Sequence, residues 1–161
     1  PLSESEQKNL LKLYLNDVGL LTSILYDTNV NAILHDDSSI NLGTVYESVV
    51  AQELHAHGYK LYYFDNKKKG EVDYLIDDYD NLHVLPLEIK SGKDYKVHSA
   101  LDNFLSTPLY NINHAIVFCN ERDVKEENGV TYMPVYYSMF LCKSEQNADE
   151  LTLPVILPPE M

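Results

Sequence analysis

The sequence predicts a mixed α/β domain, one sheet with helices on its faces. Three observations carry this. Glu71 to Ile76 and Val84 to Lys90 alternate polar and apolar residues, the period of half-buried strands. His114 to Cys119 is almost wholly apolar, as a strand covered on both sides must be. Helical patterns, one before these strands and one between them, supply the covering layers.

The chain has 161 residues, enough for one domain with a core, and 45% of them are hydrophobic, which excludes a disordered chain. No internal repeat or second domain is visible. The organisation read from the sequence is a lead-in over 1–42, a core over 43–141 and a polar, then Pro-rich tail over 142–161. No apolar run reaches membrane-spanning length, and no secretory signal is present. The chain opens on Pro1 and reads as an excised piece of a longer protein. Cys119 and Cys142 have neither metal nor redox spacing, so a reduced, cytoplasmic setting is expected.

Taken in order, Lys12 to Leu21 reads as a short strand entering a helix near 18–26, with Asn16 or Asp17 as its N-cap. Residues 27–42 are polar and irregular, a loop with a short helical turn near Val30 to Leu34. A helix follows from Thr44 to His57, closed by Gly58 at the C′ position. Its apolar stripe includes Val50, Ala51 and Leu54. Leu61 to Asp65 is a strand rich in aromatic residues. Lys67-Lys68-Lys69 reads first as a soluble hairpin turn. The two alternating strands come next, joined by the turn-prone Asp77 to Asn81. Val97 to Ser106 is a helix ended by Pro108. His114 to Cys119 is the buried strand, Asn120 to Asn128 a charged loop, and Val130 to Met133 a further strand. Pro134 to Leu141 is a helix or packed segment, and the remainder an extended tail.

The chemistry concentrates on the two alternating strands. Glu71 and Asp73 share one face of the first, and Glu88 and Lys90 one face of the second. If the strands pair, three carboxylates and an ammonium meet on one patch. Hard divalent cations such as Mg²⁺ or Mn²⁺ are held by carboxylate oxygens, backbone carbonyls and waters. A lysine beside them steadies developing negative charge. The competing reading is a solvated hairpin face carrying a Glu–Lys pair. Glu47 interrupts the apolar stripe of its helix, which needs a reason. One reason is a capping box, Thr44-x-x-Glu47. The other is reach over the sheet to the carboxylate patch. A net charge of −13 opposes nucleic-acid binding overall, and predicts weak binding at physiological salt. The lysines at 67–69, 90, 93 and 96 nevertheless cluster beside the patch.

A carboxylate followed about fifteen residues later by Glu88-Ile89-Lys90 resembles the PD-(D/E)XK nuclease signature, with Val72-Asp73 where Pro-Asp is common. The helix–three strands–helix–strand order matches the restriction-endonuclease-like fold. KLYLNDVG (12–19), GTVYESVVAQEL (43–54), EVDYL (71–75) and LEIKSG (87–92), in this order, resemble one family. It is the C-terminal domain of unknown function attached to AAA-type P-loop ATPases of bacteria and archaea, a domain related to those nucleases. The resemblance covers roughly residues 8–141. It implies that Glu47 matches the helix glutamate, Asp73 the strand aspartate, and Glu88 and Lys90 the E-x-K pair. Asp73, Glu88, the Ile89 carbonyl and Glu47 are then the metal ligands, Lys90 assists, and Glu71 is an accessory acid. The implied activity is Mg²⁺-dependent (or Mn²⁺-dependent) phosphodiester hydrolysis, with DNA as a candidate partner. The alternative is a non-catalytic module that regulates its ATPase or binds another partner. No P-loop motif occurs here, so ATP would enter only through an ATPase domain preceding Pro1.

Overall fold

A computed structural model describes Leu2, residues 12–26, His35, and residues 42–78 and 81–143. Among these residues three helices are present: α1 (Val18–Tyr26), α2 (Gly43–Ala56) and α3 (Ser99–Leu105). Six strands form one sheet: β1 (Tyr62–Asn66), β2 (Gly70–Asp78), β3 (His83–Ile89), β4 (Ala115–Cys119), β5 (Lys125–Glu127) and β6 (Val130–Pro134). Their order across the sheet is β1-β2-β3-β4-β6-β5. The first three strands run antiparallel, β3, β4 and β6 run parallel, and β5 returns antiparallel at the edge.

The expected pattern of burial explains the layers. All five residues of β4 are buried, and they divide between the two faces. Ile116 and Phe118 join Val50, Ala51 and Leu54 of α2 in one core, with Tyr74, Ile76, Leu85, Leu87 and Ile89. Ala115, Val117 and Cys119 join Leu101 and Phe104 of α3 in the other, with Val72, Leu75, Val130 and Tyr132. Both β4 neighbours are parallel, reached through α3 and through the β5 return, so its backbone is saturated on both sides.

Local signals set the element ends. Asp17 Oδ1 accepts the Leu20 amide at 2.8 Å, so Asp17 caps α1 as expected. Gly58 follows α2 with φ +76, the left-handed C′ geometry that glycine adopts without cost. Lys67 to Lys69 form the β1–β2 turn, and Asn66 Oδ1 accepts the Lys68 and Lys69 amides. At Gly70, φ is +91 and an added Cβ would lie 2.7 Å from Ala100 Cβ. Only glycine allows this hairpin end to press onto α3.

Three expectations change. Lys12 to Leu15 is not a strand and joins no ladder among the described residues; side-chain contacts of Lys12 and Tyr14 hold it to its neighbours. The charged loop 120–128 contains β5, whose three exposed residues give no apolar alternation and pair through backbone alone. The helix expected over 97–106 is shorter, Ser99–Leu105. The helix or packed segment expected over Pro134 to Leu141 is present as a 3-10 helix, Val135–Phe140, packed on the α2 side. The turn expected at Val30 to Leu34 and the tail beyond Lys143 lie outside the described residues. No helix among the described residues is long and apolar enough to cross a membrane.

Candidate functional site

The expected pairing of the two site strands is present. Tyr74 opposes Leu87, Leu75 opposes Pro86, and the ladder continues to Asp78 and His83. It stops at Tyr74 in the other direction. Across β1, Tyr62 opposes Leu75 while Phe64 opposes Val72, so β2 carries one extra residue there. Such a bulge locally unpairs a strand and re-aims its side chains. It breaks the simple alternation expected for Glu71 and Asp73. The Asp73 carboxylate fills the resulting gap: its Oδ2 accepts the Ile89 amide at 2.8 Å. A side chain thus takes a backbone donor that the ladder leaves open.

Glu88 sits beside it and is 5% exposed. Leu85, Leu87 and Ile89 face the α2 core, so Glu88 turns to the opposite side of β3. Lys90, just past the strand, places Nζ 2.8 Å from Glu88 Oε1. The other carboxylate oxygen, Oε2, is buried and accepts no hydrogen bond from the described residues. A buried acceptor without a donor is costly and marks a place for a water, ion or ligand.

Burial and mutual repulsion leave these acids reluctant to ionise. Burial, then the Asp73 charge, pushes the Glu88 carboxyl up to about 7, against the pull of Lys90. Burial raises Asp73 as well, opposed by the Ile89 amide and by Lys12 and Lys90. Glu47 is raised by burial and next by Asp73.

Glu47 is not a cap. The α2 N-cap is Leu42, without a side-chain cap bond, and Thr44 lies inside the helix. Instead the Glu47 side chain lies among Asp73, Lys12 and Glu71, whose charges act on it. Tyr14 donates to Glu47 Oε2 over a long 3.4 Å, and Tyr74 donates to the Glu47 carbonyl at 3.0 Å. The two tyrosine rings pack with centroids 5.5 Å apart.

Two residues that sequence reasoning missed complete the cluster. Lys12 forms an ion pair with Glu71, and Tyr14 reaches Glu47 and Tyr74. The signal is the i, i+2 spacing of a cation and an aromatic ahead of α1, a spacing that the start of a strand shares.

The residues present have the chemistry of a divalent-cation site: a buried carboxylate, Glu88, beside a half-buried one, Asp73, one orphaned oxygen and a third acid nearby. Yet among the described residues no three His, Cys, Asp or Glu side chains converge closely enough to hold a metal as they stand. Lys90 occupies one oxygen of Glu88, and the Ile89 amide occupies one of Asp73.

Comparison with known families matches residues 42–137 to a domain of unknown function, DUF4143. The match spans more than half of the chain, and the chain belongs to that family. No curated protein and no solved structure matches it.

Proposed function

We propose that this chain is a nuclease-like module of restriction-endonuclease-like architecture, built to hydrolyse phosphodiesters of nucleic acid with Mg²⁺ or Mn²⁺. The observation that carries the reading is the pairing of a half-buried Asp73 with a buried Glu88 at the splayed β2–β3 junction, with Lys90 against it and Glu88 Oε2 unpartnered. Asp73, Glu88 and the Ile89 carbonyl would hold the cation, with Glu47 assisting. Bound there, the cation supplies an activated water and offsets charge on the phosphate. Lys90, released from Glu88, is positioned to meet the negative charge that develops on the phosphate. Glu71 shares Lys12 with the cluster and stays an accessory acid. The four motifs shared with the C-terminal domains of AAA-type ATPases support a role beside such an ATPase, which would be the route for ATP.

A second reading is favoured by two observations. The ion pair between Lys90 and Glu88 already closes the site, and the net charge of −13 disfavours a polyanion. On that reading the domain keeps the fold without turnover and regulates its ATPase or binds a partner.

Thermal melts with and without Mn²⁺ test the metal. Wild type should be stabilised in proportion to RT ln(1 + [L]/Kd), and Glu88→Gln should lose that response. Equal responses in the two proteins would remove the site.

A further inference from the structure

The chain carries 25 acidic residues against 12 lysines and arginines, so a surface cation should find a carboxylate. Lys12, Lys90, Lys96 and Lys125 do, on Glu71, Glu88, Glu127 and Glu121. Lys67, Lys68, Lys93 and Arg122 are exposed and form no ion pair among the described residues. Lys69 meets a hydroxyl instead, with Nζ 3.2 Å from Thr107 Oγ1.

The topology brings these five cations to one edge of the sheet. β3 and β4 are parallel, so Lys93, beyond β3, and Arg122, beyond β4, follow strand ends on the same edge. β2 runs antiparallel to β3, so the β1–β2 turn that precedes it lies on that edge too. Asn120 Nδ2 donates to the Ser91 carbonyl at 2.9 Å and ties the connections after β3 and β4 together. Asp73, bonded to the Ile89 amide, and Glu88 with Lys90 lie at the same edge. The fold does not need the charges of the turn. Asn66 Oδ1 accepts the Lys68 and Lys69 amides, and Gly70 supplies φ +91, so these two residues build it. Three adjacent ammoniums there repel one another. Exposed Asp65, Asp94 and Asp123 flank the cations in sequence. Apart from the ion pairs and the candidate site, five cations against three acids leave the edge net positive, on a chain of net charge −13.

We propose that this rim holds the sugar–phosphate backbone of a nucleic-acid strand alongside Asp73 and Glu88. From β1 to β4 it spans three strand spacings, about 14 Å, the reach of about four phosphates along one strand. Lysines suit the task, because contacts to phosphate position a strand by charge and do not read its bases. Acids elsewhere on the surface are screened beyond a Debye length, about 8 Å at physiological salt. They weaken binding and turn a polyanion towards this edge. The choice of nucleic acid rests on the hydrolase reading proposed above; the contact itself needs no metal.

Fluorescence anisotropy of a short labelled DNA duplex, read in EDTA, tests the contact apart from metal and turnover. Wild type should bind at low salt, with log K falling against log [salt] at a slope of roughly −2 to −4. Lys67→Gln/Lys68→Gln/Lys93→Gln should weaken binding roughly tenfold to a hundredfold and flatten the slope by about 2. All three side chains are exposed, so the variant should melt as wild type does. Lys60→Gln/Lys96→Gln/Lys143→Gln removes the same charge away from the rim. Lys60 precedes β1, Lys96 Nζ lies on Glu127 and Lys143 Nζ on the Gly58 carbonyl. This variant should lose less than about threefold. Equal losses in the two variants mean that net charge alone sets binding, and overturn the rim. Absence of binding by wild type at low salt overturns it as well. Polyglutamate should compete roughly fivefold less well than unlabelled duplex, because its charges are sparser along the chain. Equal competition means a surface for any polyanion and overturns the nucleic acid. The hydrolase reading fails separately, on the Mn²⁺ melts of wild type and Glu88→Gln. Rim binding without a metal response upholds the rim and leaves a nucleic-acid-binding module without turnover.

Discussion

Two polar clusters can be compared among the described residues, one around the buried acid Glu88 and one around the buried base His98, and their surroundings differ in charge. One is the Asp73–Glu88 junction. The other lies at the start of α3, where His98 is 7% exposed. His98 Nε2 meets the Tyr132 hydroxyl at 2.7 Å, and Nδ1 lies 2.9 Å from Asp102 Oδ1. Its groups are of unlike kind, a ring nitrogen bonded to a hydroxyl and an imidazole near a carboxylate, although Nδ1, like Glu88 Oε2, is buried without a hydrogen bond among the described residues. At the junction like meets like, two carboxylates share one lysine, and an oxygen is left bare. Complementary groups stabilise a fold, whereas a half-satisfied cluster is a cost that function has to explain. Each cluster leaves one buried atom unbonded among the described residues, so what sets them apart is charge: two acids crowd together at the junction, and none crowds another at His98.

The contrast breaks or holds first on pH, where the expected effect is largest. Glu88 has its carboxyl held at about 7 in the folded chain, against an ordinary 4.5. Between those values the folded state binds more protons than the unfolded one. Stability is therefore greatest below about 4.5 and is lost as pH rises through 7. At 1.36 kcal/mol per unit, the loss attributable to Glu88 is at most about 3 kcal/mol. Urea midpoints measured across this range, with metal chelated, should fall in wild type. They should fall distinctly less in Glu88→Gln, which has no charge to form. Parallel curves for the two proteins would mean that Glu88 ionises freely and the junction is not strained.

At the other group, truncation rather than titration is the probe. His98→Ala leaves the Tyr132 hydroxyl without its partner in a buried place and opens a cavity against β6. The expected loss is about 2–3 kcal/mol in urea denaturation, from the orphaned hydroxyl and the lost packing together. Glu88→Gln at neutral pH should shift the midpoint the opposite way. If both changes destabilise alike, the two groups do not differ in kind.

Much of this was legible because side-chain period and strand face are the same thing. Alternation at 71–76 and 84–90 located β2 and β3, and the apolar run at 114–119 located β4. Asp73, Glu88 and Lys90 follow from that period plus their chemistry. What was hidden depends on backbone. The bulge that sends Asp73 into the ladder gap leaves no compositional trace, since any residue can occupy it. β5 is a charged edge strand, Lys125-Glu126-Glu127, whose pairing comes from amides and whose charges guard the edge. Lys12 and Tyr14 are joined to the site by contacts between residues some sixty and thirty positions apart, which no local pattern encodes. The capping-box alternative at Thr44 falls for a related reason: the motif is present, but the N-cap of α2 is Leu42, two residues before Thr44.

The smallest expected effect sharpens the comparison most cleanly, because each group contains one tyrosine hydroxyl. Tyr132→Phe removes a hydroxyl bonded at 2.7 Å to a buried imidazole. It should cost about 1–2 kcal/mol, the range for a buried hydrogen bond that leaves its partner unpaired. Tyr14→Phe removes a hydroxyl that reaches the half-buried Glu47 over 3.4 Å, while the ring stays packed on Tyr74. A bond that long is weak, and Glu47 regains water when it is lost, so the cost should stay under about 0.5 kcal/mol. The sign of a second effect is also set. The Tyr14 hydroxyl holds the Glu47 carboxyl down, against burial and Asp73, so its removal should move Glu47 further up. Urea denaturation of the two variants at one pH measures the first effect, and carboxyl titration of Glu47 by NMR the second. Near-equal stability losses would mean that Tyr14 is as firmly bonded as Tyr132. The cluster at β2 would then be a finished structural network, and the case for an under-compensated site would pass to Glu88 alone.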